Sequence, residues 1–131
     1  MDQQDHTPEA DTVENATLTL PDGGRYIGAL RNGVPHGQGC LDLPDGGEYR
    51  GTFRNGVPEG QGLLTMANGG RYEGNFSAGG PSGQGILFFP DGGSYHGAFA
   101  NNVPHGRGML SLADGRRIQG EFANGQLVRQ V

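Results

Sequence analysis

The sequence predicts an all-β fold, an antiparallel meander of stacked β-hairpins with no helix. Three observations predict it. Laid on itself with an offset of 23, the chain of 131 residues aligns four copies, residues 23–45, 46–68, 69–91 and 92–114. Within each copy apolar residues and glycines alternate with the period of two that belongs to a strand. Between the alternating stretches stand Asn-Gly and Pro-Asp-Gly, which are strong turn signals. A period this short and strict means stacked supersecondary units, each completed by its neighbours.

The first strand of a copy is read in "RYIGALR", which places Tyr26, Gly28 and Leu30 on one face and Ile27 and Ala29 on the other. "RNGVP" follows and carries the hairpin turn, because Asn-Gly accepts the positive φ values of a two-residue connection. The second strand, "GQGCLDL", puts Gly37, Gly39, Leu41 and Leu43 on the first face and Gln38, Cys40 and Asp42 on the other. "LPDGG" then joins hairpin to hairpin, Pro presetting φ and Asp-Gly closing the turn. "ATLTLPD" (16–22) matches the end of a copy and "GRRIQGEFANGQLVRQV" (115–131) the start of one. A lone hairpin is marginal in water, so stability resides in contacts between neighbouring copies.

These boundaries give a repeat domain over residues 16–131, its last copy partial (115–131), behind an acidic tail at residues 1–15. The tail holds Asp2, Asp5, Glu9, Asp11 and Glu14 and no Lys or Arg, and so carries the whole net charge of −5. It is expected to be solvated and flexible.

Of 27 glycines only Gly80 falls outside the shared columns. Glycine inside a strand marks a place where something comes very close to the backbone. The expected occupant is an aromatic ring from a neighbouring hairpin. Tyr26, Tyr49, Tyr72 and Tyr95 form one row of rings, and Leu30, Phe53, Phe76, Phe99 and Phe122 a second row that interlocks with the glycines.

The pattern Y-x-G-x-F, a short turn, G-x-G with alternating apolar positions and a P-D-G turn resembles the MORN repeat, and the likeness covers residues 16–131. His36 and His105 stand where that family often has a histidine before G-x-G, while Glu59 and Ser82 depart from it. The last copy departs too, with Ile118 for Tyr and Val128-Arg129 for His-Gly. The resemblance implies a single-layer twisted sheet, a MORN-repeat array, with a groove lined by the Tyr and Phe rows. It also implies roles in protein scaffolding and dimerisation, and in phospholipid or membrane association.

The residues themselves argue against chemistry. Equivalent positions in adjacent copies lie about 9–10 Å apart, so His36 and His105, three copies apart, are separated by about 29 Å and share no metal or proton. The ladder Asp22, Asp45, Asp91 and Asp114, with Asn68 in the remaining rung, is too widely spaced for a calcium shell and reads as turn chemistry. Cys40 stands in a column with Leu63, Ile86 and Met109 and reads as a small apolar filler. The expectation is therefore no enzyme, no metal and no cofactor. All nine basic residues are Arg and the repeats balance nine acids, leaving no basic stripe for nucleic acid.

One feature exceeds the repeat. On the face opposite the rings, Cys40, Leu63, Ile86 and Met109 with Ile27 and Phe88 make an apolar stripe on a surface that should be wet. Ile27, Leu63, Ile86, Phe88 and Met109 are the candidate partner-binding residues. The expected function is a non-catalytic interaction or scaffolding module that binds a protein partner or a second copy through this face or the groove, with the open strand ends "ATLTL" and "RIQGEF" available for strand addition. The alternative is a peripheral phospholipid binder. Without a signal peptide or a membrane-spanning run, the expected location is cytoplasmic, with peripheral membrane association as the alternative.

Overall fold

The computed structural model describes residues 12–131, which form β1 (Thr12–Thr19), β2 (Arg25–Arg31), β3 (Val34–Asp42), β4 (Glu48–Arg54), β5 (Val57–Thr65), β6 (Arg71–Ser77), β7 (Gly80–Phe88), β8 (Ser94–Ala100), β9 (Val103–Ser111), β10 (Arg117–Ala123) and β11 (Gln126–Gln130). All eleven lie in one sheet in chain order, every neighbouring pair in register being antiparallel. Elements in substantial contact are always consecutive, so no second layer covers either face among the described residues. Here too no helix interrupts the meander.

Turn chemistry builds both edges of the ribbon. Asn32 and Gly33 take φ values of 52° and 82° between the paired Arg31 and Val34, the two positive angles of a type I′ hairpin. On the opposite edge the Asp22 carboxylate accepts the Gly24 N–H at 2.8 Å while the Gly23 N–H donates to the Leu20 carbonyl at 3.0 Å. Asp45, Asn68, Asp91 and Asp114 repeat that carboxylate or amide contact at 2.8–3.0 Å. The aspartate ladder is thus engaged turn by turn.

The sheet begins earlier than the sequence boundary at residue 16. β1 starts at Thr12, with Val13 paired to Leu30 and the ladder shifted before Ala16, where Asn15 takes a positive φ of 61°. Residues 12–15, placed in the flexible tail by their charge, are strand, and a bulge at Asn15 carries the pairing with β2 through them. Residues 1–11 of the expected tail lie outside the described residues.

The core is one-sided. Tyr26, Tyr49, Tyr72, Tyr95, Phe53, Phe76, Phe99 and Phe122 are all buried, none more than 6% exposed. Leu18, Leu30, Leu41, Leu64, Met66, Leu87, Phe89 and Leu110 pack around them. The rings form one continuous edge-to-face ladder: Tyr49 meets Phe53 at 5.0 Å and Phe76 at 4.8 Å, and Tyr72 meets Phe76 at 5.1 Å and Phe99 at 4.8 Å. Perpendicular rings at these distances place the positive edge of one against the negative face of the next. The expected aromatic-lined groove is therefore closed by its own rings, which fill it as core and offer no open surface.

Glycine makes this possible, although not as the sequence suggested. A Cβ on Gly62 would meet Tyr49 Cε1 and Oη, each at 2.5 Å, so the ring lies on the glycine of its own hairpin and not on that of a neighbour. Gly51, opposite Gly62, would collide at 2.6 Å with both the Gln61 carbonyl and the Gly62 Cα. The reason is tethering: the Tyr49 hydroxyl donates to the Thr52 carbonyl three residues on at 2.8 Å, which folds the ring back along its own strand. Neighbouring hairpins contribute the phenylalanine instead. Gly60, opposite Phe76, has nothing nearer than Thr52 Cβ at 3.8 Å, and its φ of +82° shows that it serves backbone conformation. That column turns the extra residues of the ladder shift between Gly51 and Phe53.

Buried phenols give a pH prediction. Burial raises all four tyrosines above the ordinary value, Tyr49 being pushed up to about 12. The fold holds the neutral phenol, so this part of the stability is complete below the unfolded value of 10.0 and is lost as pH rises through about 12. Phenolate absorbance and circular dichroism followed together from pH 9 to 13 should change in one transition within that window. Tyrosines that ionise near 10 with the sheet intact would contradict the burial.

Candidate interaction surface

The face opposite the rings is built from three cross-strand rows. The central row runs Thr17, Ile27, Cys40, Arg50, Leu63, Glu73, Ile86, His96, Met109, Gln119 in register from β1 to β10. Second strands of each hairpin supply Cys40, Leu63, Ile86 and Met109, because the residue after G-x-G points there. First strands supply the residue after the tyrosine, Ile27, Arg50, Glu73 and His96, and after Ile118 in β10, Gln119. The apolar stripe expected from the sequence is therefore not contiguous. Leu63, Ile86 and Met109 are half-buried between the exposed Arg50, Glu73, His96 and Gln119, whose chains lie on either side of them. Of the five candidate partner residues Ile27 alone is exposed, at 46%, and the other four are half-buried. Reading alternation along each strand missed Arg50, Glu73 and His96; reading the same column across copies would have shown them.

Flanking rows are polar. Gln38 donates to Thr52 Oγ1 at 2.8 Å, Gln61 bonds Asn75 Oδ1, and Arg107 and Arg129 both pair with Glu121, at 3.7 and 2.8 Å. On the other side Phe88 lies half-buried under the Arg71 guanidinium, 4.2 Å from its centroid. That contact screens Phe88 from a partner unless Arg71 moves.

Cys40 is more than filler. Its thiol donates to Glu48 Oε2 at 3.1 Å, and Asp42 brings a third ligand-type group, all three within 4.8 Å of one another. Burial first, then the Glu48 contact, hold the thiol above its ordinary value, while that same hydrogen bond holds Glu48 below the usual carboxylate range. The sulfur thus stays protonated at neutral pH. A nucleophile or a soft-metal ligand needs the thiolate.

The histidines do local work on the Asn-Gly edge. His36 Nδ1 accepts the Asn55 N–H at 3.2 Å and His105 Nδ1 accepts the Asn124 N–H at 3.4 Å, each fastening the turn of the next hairpin. Glu59, the departure from the histidine column, does the same for Ala78 at 3.3 Å. A shallow hollow of about 450 Å³ beside them is lined by His36, Thr52, Phe53, Arg54 and Glu59. No described helix is long and apolar enough to cross a membrane.

Compared with known families, the chain matches the MORN repeat model in four consecutive segments, residues 26–48, 49–71, 72–94 and 95–116. No curated protein matches the chain at a significant level.

Proposed function

The chain belongs to the MORN-repeat family, a non-catalytic repeat module of protein and membrane interaction, and from that premise we propose that it is a scaffold which binds a protein partner across the face opposite its aromatic core. One observation carries the reading. All core rings lie on one side of a single layer, and the row of Ile27, Leu63, Ile86 and Met109 on the other side is left without a covering element among the described residues. Alternation with Arg50, Glu73 and His96 makes that row amphipathic, which suits a protein surface of mixed charge better than acyl chains. On this face Arg50 pairs with Glu48 at 3.5 Å and Arg107 and Arg129 share Glu121, which offsets part of the positive charge that anionic headgroups would seek. A location in the cytoplasm belongs to the same proposal.

The test is a double substitution, Leu63→Ser with Ile86→Ser, on a face that contributes little to the core. Thermal stability should fall only slightly, while capture of a purified cognate partner, or self-association measured as mass in solution, should drop at least tenfold. Unchanged association would contradict the reading. Flotation of the native chain with anionic vesicles, abolished by the same variant, would replace it with lipid binding.

A further inference from the structure

One junction of the array gathers several departures from the repeat. In the third hairpin Ala78 replaces Asn, Gly80 replaces the Val of Val34, Val57 and Val103, and Ser82 replaces the His or Glu of its column, while Ser77 stands in a column that is Arg in the first two copies and Ala at Ala100 and Ala123. In the next hairpin Asn102 replaces the turn glycine of Gly33, Gly56, Gly79 and Gly125. The changes at Ala78, Gly80 and Ser82 remove bulk. The structure brings these departures together: Ser77, Ala78, Ser82 and Asn102, with Pro81 and Asn101, line one hollow of about 370 Å³. A Cβ on Gly80 would run into the Asn102 side-chain amide, so glycine there is what lets Asn102 turn in.

The same place lacks two hydrogen bonds that every other junction makes. Elsewhere a turn N–H donates back to the proline of the preceding hairpin: Gly56 to Pro35 at 2.8 Å, Gly79 to Pro58 at 3.1 Å, Gly125 to Pro104 at 2.9 Å. The preceding N–H is taken by His36, Glu59 or His105. At the third junction the equivalents are Asn102 to Pro81 and Asn101 to Ser82, and among the described residues neither bond is formed. Ser82 is too short to reach. The counterparts of these two consecutive backbone donors point at the preceding hairpin, and at this junction Asn101 and Asn102 line the hollow together with Ser77 and Ser82.

We propose that this junction is a docking site for a carboxylate brought by a protein partner, an Asp or Glu side chain that supplies the missing acceptor. The chain states the chemistry itself, since one junction away the Glu59 carboxylate accepts the equivalent N–H from within. Successive N–H groups with hydroxyl and amide donors bind such an anion. No Arg or Lys lines the hollow, so a dianionic phosphate finds no counter-charge there. The inference rests on the reading of the chain as an interaction module and names a polar anchor for it.

The experiment is an amide NMR titration of the full ¹⁵N-labelled chain at constant ionic strength. The probes are sodium acetate, acetyl-Gly-Glu-Gly-amide and its Gln analogue. The Asn101 and Asn102 amide protons should move downfield along saturating curves with acetate and with the Glu peptide. Asn55 and Asn124, whose N–H groups are already bonded, should stay, and the Gln peptide should move nothing. Ser82→Glu should shift Asn101 before any probe is added and weaken the acetate response at least tenfold. Saturation by acetate and by the Glu peptide with the Gln peptide silent supports the proposal, and a Gln peptide that saturates as the Glu peptide does would overturn it. Asn101 and Asn102 drifting linearly together with Asn55 and Asn124, or a Ser82→Glu chain that responds like the native one, would overturn the proposal. Partner capture by the Leu63→Ser, Ile86→Ser chain is read separately, so a silent titration removes the junction and leaves the wider reading standing.

Discussion

Gly62→Ala should destabilise the array by about 3 kcal/mol or more, at the upper end of what forcing a methyl group into a packed site costs. The new Cβ meets the Tyr49 ring at 2.5 Å on one side, and Gly51 opposite leaves the backbone no room to retreat. Small domains are stable by only about 5–15 kcal/mol, so the urea midpoint should fall by a large fraction. Gly62→Val should not fold. Gly60→Ala, two residues away, provides the contrast. Its nearest neighbour is 3.8 Å off and only its φ of +82° resists a side chain. That costs about 1–2 kcal/mol. Equal losses at the two sites would mean that Gly62 is conformational and not a seat for the ring. In a Tyr49→Leu background the Gly62→Ala loss should shrink, since the partner in the collision is gone.

Phe76→Ala is the second large effect, expected to cost about 3–5 kcal/mol. Phe76 is 4% exposed and bridges Tyr49 and Tyr72 at 4.8 and 5.1 Å, which places it at the seam between two hairpins. Phe122 is buried to nearly the same degree, at 6%, but meets a single ring, Tyr95. Phe122→Ala should therefore cost less, by about 0.5–1.5 kcal/mol for the aromatic pair it lacks. Cutting the ladder at Phe76 also interrupts a structure in which each hairpin touches only its neighbours. The urea transition of Phe76→Ala should broaden or split, whereas that of Phe122→Ala should stay single and shift. A broader transition for Phe122→Ala than for Phe76→Ala would contradict the seam.

Much of this was legible before any coordinates. The period fixed hairpin, turn and connection because Asn32-Gly33 acts through its own backbone and Asp22 through a carboxylate bond to the N–H two residues on, with no help from distant residues. The ring rows were legible for the same reason, as Tyr26 and Phe53 recur on one face of strands whose alternation is strict. Three things were not. The seat of each tyrosine was assigned to the wrong hairpin, because Tyr49 is folded back by a bond to the Thr52 carbonyl, and sequence does not display backbone acceptors. The stripe of Leu63 and Ile86 looked continuous because strands were read singly, while Glu73, which stands between them, becomes their neighbour only through register. The start of β1 was hidden because residues 12–15 were placed in the tail by their charge, while a bulge at Asn15 carries the pairing with β2 through them. Partner-facing chemistry is harder to read than the core for a general reason: repetition marks what each hairpin needs for itself, and a partner is met by the departures. Ser82 was read as a departure and Asn102 was not, and only the fold shows that they share one hollow.

The most direct measurement is the set of nuclear Overhauser contacts between glycine Hα protons and tyrosine ring protons in the native chain. Gly39, Gly62, Gly85 and Gly108 should each show strong contacts to the ring of Tyr26, Tyr49, Tyr72 and Tyr95 respectively, the tyrosine of the same hairpin. Contacts from Gly39 to Tyr49 and from Gly62 to Tyr72 in their place, or no ring contact at any of the four glycines, would contradict the account.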